Sequence, residues 1–142
     1  MLAGQLGLIL AAVFTGAAVV ISVAEQPARL LLNHHAMLTH WISSYLLAAR
    51  MLGGLALISC LCGLAAFWWT RDWRWLIGSG LIFANWPYTL VVMMPVNGAL
   101  YDRLNHKASF EIRTLVERWG RLHLLRCGFG AAATVAYLWA LY

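Results

Sequence analysis

Four apolar runs, each close to the length that crosses a bilayer, constrain this chain more than any other feature of its sequence. Crossing about 30 Å of hydrocarbon takes roughly 20 predominantly apolar residues in an α-helix. We place the four predicted spans at about 2–24, 46–69, 75–94 and 122–142. Because 63% of the 142 residues are hydrophobic and 11% are charged, the chain is far more apolar than a soluble domain. The sequence therefore predicts a single all-α membrane domain, a four-helix bundle surrounded by lipid.

The two long connections of this bundle each carry an amphipathic segment. Residues 30–45 mix apolar side chains with His34, His35 and His40, a composition that suits a helix at the membrane interface. Residues 109–118 predict a second amphipathic helix, which leads into the fourth span. We therefore expect an interfacial helix in each long connection.

Ionisable residues gather at one end of the predicted bundle. Four spans place both termini and the turn near Thr70 on one side, and the two long connections on the other. The second side holds all five His, four of the five acidic residues and eight of the ten Lys and Arg. By the positive-inside rule, we expect the long connections to be cytoplasmic and both termini to face outward. The net charge of +5 is explained by Arg residues that flank the membrane, so we expect no nucleic-acid partner.

The segment from Trp119 to Arg126 carries charge into the fourth span. Trp119, His123 and Arg126 are four and three residues apart, so one helix presents all three on a single face. Because charge inside a bilayer is costly, such residues usually face the bundle interior and mark a functional site. The sequence therefore predicts that His123 and Arg126 are buried and meet partners from other helices.

Polar residues elsewhere in the spans are candidate partners for this face. A mostly apolar cavity with a few converging polar groups is typical of a small-molecule site. In such a site His and carboxylate groups transfer protons, and Arg and Asn stabilise an oxyanion. The expected catalytic residues are His123, Glu25, Arg126 and Asn97. The expected substrate-binding residues are Arg29, Tyr45, Arg50, Asn85, Tyr88 and Trp119.

Several of these residues have structural alternatives. Glu25 and Arg29 are four residues apart and form an ordinary ion pair if the helix continues through them. Arg50 can extend back to the lipid headgroups. Asn85 can be occupied entirely by backbone groups that Pro87 leaves without partners.

A metal site is another possible use of the same end of the bundle. Imidazole and carboxylate ligands suit iron, copper or zinc, and the candidate ligands are Glu25, His123, His34, His35 and His40. No ligand spacing enforces such a site, because the neighbours His34 and His35 cannot point the same way from one helix.

Three motifs, in order along the chain, resemble the anthrone oxygenase family. They are Glu25-x-Pro27-Ala28-Arg29, Asn85-Trp86-Pro87-Tyr88-Thr89 with Met94-Pro95-x-Asn97, and Arg118-Trp119-Gly120-Arg121-Leu122-His123-x-x-Arg126. The resemblance implies a small four-span membrane protein, which we expect in a bacterial inner membrane. Fungal members oxidise an anthrone to an anthraquinone with dioxygen. The resemblance therefore implies dioxygen as co-substrate, His123 or Glu25 as the base, and Arg126, Arg29 or Asn97 as the group that holds the anion.

Three functional hypotheses remain open from the sequence. The first is an oxygenase that acts on an aromatic or quinone-like lipophilic substrate. The second is a redox protein that binds iron, copper or haem. The third is a non-catalytic membrane partner subunit or a small transporter. Glycine-rich helix surfaces permit, but do not require, a homo-oligomer in each case.

Overall fold

The described residues form four long helices with no β-strand between them. A computed structural model describes residues 1–105 and 110–142; Ser109, the first residue of the predicted second amphipathic segment, lies outside them. The helices are α1 (Leu2–Leu30), α2 (His34–Thr70), α3 (Arg74–Asp102) and α4 (Phe110–Leu141), each long and apolar enough to span a membrane. The predicted all-α membrane bundle is confirmed, and the chain is an integral membrane protein.

The first predicted amphipathic segment is helical from His34 onward, after the non-helical residues 31–33, and the second is helical from Phe110. Each continues directly into the following span. Helix α2 begins at His34, where the side chain of Asn33 accepts a hydrogen bond from the backbone of Ala36 at 2.9 Å. This N-cap satisfies one of the backbone donors that the first turn leaves free. Because α2 then runs unbroken to Thr70, residues from the connection and from the span share a single helical register.

The three prolines each follow an irregular turn within a helix. These turns are a π-helical turn at Ile21–Glu25 before Pro27, an interruption at Ala84 before Pro87, and a π-helical turn at Thr89–Met93 before Pro95. Proline lacks a backbone donor, and its ring crowds the carbonyl four residues earlier. The irregular turns accommodate that ring without ending the long helix. Helix α1 therefore continues past Pro27 as far as Leu30, which keeps Glu25 and Arg29 on one helix.

A terminal hydrogen-bond cluster, made of Gly7, Ser59, Ser79 and Tyr137, joins all four helices near the chain termini. Ser59 donates to the Gly7 carbonyl at 2.8 Å, and the Tyr137 hydroxyl donates to the Ser59 carbonyl at 3.0 Å. Ser79 Oγ lies 3.2 Å from the Tyr137 hydroxyl. A side chain at Gly63 would collide with Ser79 and Tyr137, so glycine permits this close approach. Hydrogen bonds that satisfy buried polar groups in this way stabilise the packing of the helices.

The turn between α2 and α3 fixes the position of the α4 C-terminus. Arg74 forms an ion pair with Asp72 at 2.7 Å and donates to the carbonyl of Trp139 at 2.7 Å. The Arg74 guanidinium, through its hydrogen bonds, holds the pKa of the Asp72 carboxyl below its usual value. These bonds anchor the end of the bundle opposite to the predicted site.

Candidate functional site

Trp119, His123 and Arg126 all face the bundle interior, as their spacing on α4 predicts. Their exposed fractions are 4%, 1% and 5%. The Trp119 ring stacks on the His123 ring, with 4.9 Å between centroids. The Arg126 guanidinium lies over the ring of Phe14, 5.8 Å from its centroid. The predicted burial of His123 and Arg126 is confirmed.

The His123 ring is held at one nitrogen. Its Nδ1 lies 3.0 Å from the hydroxyl of Ser22 on α1, and that hydroxyl also lies 3.4 Å from the Cys127 thiol. His123 Nε2 makes no hydrogen bond within the described part of the chain. A neutral imidazole with one nitrogen oriented by a partner and the other free is suited to accept a proton. Sequence reasoning missed Ser22, because a single Ser in an apolar span has no distinguishing pattern.

Arg29 is buried and makes three hydrogen bonds, two of which join α1 to α2. Its Nη1 donates to Gln26 Oε1 at 2.8 Å, its Nη2 to Ser44 Oγ at 2.9 Å, and its Nε to His40 Nδ1 at 3.1 Å. Gln26 in turn donates to the carbonyl of Val116 on α4 at 2.8 Å. Gln26 and Ser44 were not foreseen from the sequence. This network holds the site-bearing ends of three helices together.

Glu25 and Trp119 lie on either side of this network. The Glu25 carboxylate is 40% exposed and lies 3.6 Å from Arg29 Nη2, which is the ion pair four residues apart that the sequence allowed. The Arg29 guanidinium lies 5.5 Å from the Trp119 ring centroid. Because Trp119 also stacks on His123, its ring packs against both Arg29 and the imidazole.

An apolar cavity lies between α2 and α3, and Arg126 reaches it from α4. Its volume is about 190 Å³. The lining residues are Tyr45, Ala49, Gly53, Ala56, Asn85, Trp86, Thr89, Leu90, Met94 and Arg126. A narrow crevice of about 10 Å³, which Glu25, Arg29, Trp119 and His123 help to line, shares Tyr45, Ala49 and Arg126 with the cavity. The His123 crevice and the cavity are therefore adjacent.

Two buried polar groups of the cavity lack partners. Arg126 forms no ion pair or hydrogen bond with any residue in 1–105 or 110–142, and its Nε is fully enclosed. Asn85 is 2% exposed; its Nδ2 donates to the Ile82 carbonyl at 3.1 Å, but its Oδ1 has no donor. The hydrogen bond to the backbone near Pro87 therefore uses the Nδ2 group of Asn85 and leaves its Oδ1 without a partner. Buried charges and amides are normally paired, so these two groups indicate the place of a ligand.

Tyr45 brings a third polar group to the cavity. Its hydroxyl accepts a hydrogen bond from Asn97 Nδ2 at 2.9 Å, and its ring stacks on Trp41 with 4.9 Å between centroids. The hydroxyl hydrogen has no acceptor among the residues that the structure describes. Asn97 is 2% exposed and does not line the cavity. Asn97 therefore acts on the site through Tyr45.

Comparison with known families identifies the family of this chain. A family model described as anthrone oxygenase matches residues 41–136, more than half of the chain. The chain belongs to the anthrone oxygenase family. The match covers every residue that lines the cavity, whereas Glu25 and Arg29 precede it. No curated protein and no solved structure matches the chain.

Two predicted substrate-binding residues, Arg50 and Tyr88, line neither the cavity nor the crevice. Arg50 is exposed and lines neither the cavity nor the crevice, because five residues after Tyr45 it points from a different face of α2. The Tyr88 hydroxyl donates to the carbonyl of Leu122 at 2.8 Å, and its ring packs edge-on against Phe129. Tyr88 therefore ties α3 to α4 rather than facing the cavity.

The candidate metal ligands do not come together at one site within the described residues. No group of three His, Cys, Asp or Glu in the described ranges could hold a metal ion. His35 is exposed, His34 is partly exposed, and His40 accepts the hydrogen bond from Arg29. We therefore assign no metal ligands.

Proposed function

We propose that this chain is a membrane-embedded oxygenase that oxidises a phenolic, lipophilic aromatic substrate with dioxygen. The observation that carries the proposal is the unpaired guanidinium of Arg126, buried among apolar helices at the cavity. An isolated charge there is unfavourable, and a substrate that supplies a negative oxygen offsets that cost. Membership in the anthrone oxygenase family supports the same class of chemistry.

The polar groups of the cavity favour a particular substrate class. Arg126 and the Tyr45 hydroxyl offer hydrogens, so they suit an anionic oxygen. Asn85 Oδ1 can only accept a hydrogen bond, so it suits a phenolic hydroxyl. The remaining lining is mostly apolar, which suits fused aromatic rings. A hydroxylated anthrone, which has a phenol, a ring ketone and an acidic methylene, meets all three requirements.

In this proposal His123, which lines the crevice and not the cavity, begins the reaction by removing a proton from the acidic methylene through one water molecule in the crevice. Its Nε2 is free to accept that proton, because the Ser22 hydroxyl already orients Nδ1. The charge that develops on the ring oxygen is stabilised by Arg126 and Tyr45, in the manner of an oxyanion hole. The electron-rich anion then forms a carbon–oxygen bond with dioxygen, and the resulting peroxide anion takes up a proton to become a hydroperoxide. Loss of water from the hydroperoxide leaves a carbonyl, so that the methylene and dioxygen become a ketone and water.

The neighbouring residues act by positioning these groups. Trp119 packs against the His123 ring and is itself held against Arg29. Asn97 orients the Tyr45 hydroxyl. Glu25, half-exposed at the edge of the crevice, is placed to receive the proton from His123 and release it to solvent.

The test is turnover of dithranol, a dihydroxyanthrone, by the full chain in lipid nanodiscs under isotopically labelled dioxygen. We expect one labelled oxygen atom in the anthraquinone, at a rate well above that of empty nanodiscs. His123→Gln should lower kcat by about 10²–10⁴-fold, the range for loss of a general base. The matched control, His35→Gln, changes an exposed His and should keep wild-type turnover.

Two results would overturn the proposal. One is a wild-type rate no faster than oxidation in empty nanodiscs. The other is unchanged turnover in both His123→Gln and Glu25→Gln, because the proton would then leave without either group.

A further inference from the structure

We propose that the substrate reaches the site sideways from the bilayer, through an opening between α2 and α3 whose width is set by Gly53 and Trp86. This inference rests on the proposed function, because it concerns the same cavity. It adds a route and two residues that determine which substrates pass.

The cavity lining changes from buried to exposed across its width. Arg126 and Asn85 at the inner side are 5% and 2% exposed, whereas Trp86, Leu90 and Met94 are 39%, 59% and 47% exposed. Trp86 lies about 18 Å along α3 from Arg74, at 1.5 Å per residue. At that depth in a span of roughly 30 Å, the exposed side of Trp86 faces acyl chains rather than water.

The opening exists because neither flanking helix fills it. After Tyr45, helix α2 presents only small residues to the cavity, namely Ala49, Gly53 and Ala56, which are four and three residues apart. Helix α3 contributes the π-helical turn at Thr89–Met93. Thr89 Oγ1 donates to the Asn85 carbonyl at 2.7 Å, which satisfies backbone that would be costly to leave free in lipid. Turns of this kind occur frequently at functional sites.

On the polar side of the site, a surface pocket of about 310 Å³ beside Ser22 and Gly120 shares no lining residue with the cavity, and the crevice that does share residues with the cavity is much smaller. The crevice beside Glu25 and His123 has a volume of about 10 Å³, which holds about one water molecule. An aromatic ring does not pass through it. Protons and water can therefore use the crevice, whereas a ring system needs the opening toward lipid.

Gly53 faces the ring of Trp86 across the opening. A Cβ at Gly53 would lie 3.6 Å from Trp86 Cζ2, an ordinary van der Waals contact, so alanine fits and a longer side chain fills the opening. The neighbouring Gly54 would place its Cβ more than 4 Å from every other group in the described residues. Gly54 therefore provides a matched control on the same turn of α2.

The experiment measures binding of alizarin, a dihydroxyanthraquinone whose visible absorption shifts when its phenol ionises, to the chain in lipid vesicles. We expect Gly53→Leu to slow binding by about tenfold or more, the scale of a packing clash of 1–3 kcal/mol. Gly54→Leu should bind at the wild-type rate, and Gly53→Ala should slow binding less than Gly53→Leu does, because its Cβ makes only an ordinary contact with Trp86. Gly53→Leu combined with Trp86→Ala should recover binding, because the smaller residue reopens the space.

The outcomes separate this inference from the proposed function. If the wild-type chain does not bind alizarin, the anion site fails and the opening fails with it. If the wild-type chain binds and Gly53→Leu binds equally fast, the side opening is wrong while the site at Arg126 stands. Equal losses in Gly53→Leu and Gly54→Leu, or no recovery in the double variant, also overturn the inference.

Discussion

Replacing Arg126 with methionine tests whether the charge of Arg126 stabilises the fold (a structural cation) or binds a ligand (a ligand-binding cation). Arg126 is 5% exposed and has no ion-pair or hydrogen-bond partner in residues 1–105 or 110–142. Methionine keeps a long, flexible and apolar side chain, so the variant removes the charge and leaves little empty space. A structural cation and a ligand-binding cation predict changes of opposite sign in the free energy of unfolding.

The expected magnitude follows from the burial of the guanidinium. An Arg near the middle of a membrane helix costs about 2.5–3.5 kcal/mol on insertion scales. The contact with Phe14, 5.8 Å from the ring centroid, offsets about 0.5–2 kcal/mol of that cost. We therefore expect Arg126→Met to raise the free energy of unfolding by about 1–3 kcal/mol, within the range seen when buried charges are replaced by apolar groups.

The assay is unfolding by stepwise addition of SDS in bicelles, paired with binding of alizarin. Alizarin should stabilise the wild-type chain, and Arg126→Met should lose that stabilisation, because binding weakens by about 2–5 kcal/mol when a buried charged partner is removed. Arg118 lies on the same helix but is exposed. Arg118→Met should change both quantities by less than about 0.5 kcal/mol.

Two outcomes would refute this reasoning. If Arg126→Met unfolds more readily than the wild-type chain while Arg118→Met does not, Arg126 has a structural partner. If Arg126→Met binds alizarin as tightly as the wild-type chain, the anion site lies elsewhere.

Three further substitutions test the site and the packing. Tyr45→Phe should lower kcat for dithranol by about 10²–10³-fold, as for loss of one oxyanion donor, with little change in unfolding by SDS. Ser22→Ala should lower kcat and alter its pH profile, because the His123 ring loses its Nδ1 partner; an unchanged profile would contradict that role. Gly63→Ala should destabilise the fold by about 1–3 kcal/mol through the collision at the terminal cluster, whereas Gly16→Ala, with open space at its Cβ, should not destabilise it.

Helical spacing predicted the buried face of α4 because its physical basis is local. Residues at offsets of three and four share a face, and lipid excludes unpaired charge strongly enough to decide which way that face points. The same reasoning failed for Arg50 and Tyr88. A position near Tyr45 or Asn85 in the sequence does not fix the direction in which a side chain points from the helix. The Tyr88 hydroxyl donates its hydrogen bond to a carbonyl of α4.

The sequence did not predict the residues that orient the site, for a related reason. Ser22, Gln26 and Ser44 are uncharged polar residues within apolar or mixed segments, and no spacing in the sequence distinguishes them from polar residues that serve only in packing. Their roles depend on which atoms of another helix lie opposite. The sequence predicted a cavity but not its position between α2 and α3, because that position depends on the small residues Ala49, Gly53 and Ala56.

The two ends of the bundle differ in whether their buried polar groups have hydrogen-bond partners. Near the termini, Ser59, Ser79 and Tyr137 each have partners, and their hydrogen bonds stabilise close helix packing. Toward the connections, Arg126 and Asn85 are buried just as deeply but retain groups without partners. A membrane bundle gains nothing in stability from such groups, since apolar residues would pack there at lower cost. We therefore propose that a bound molecule completes these groups and that it enters through the adjacent opening toward lipid.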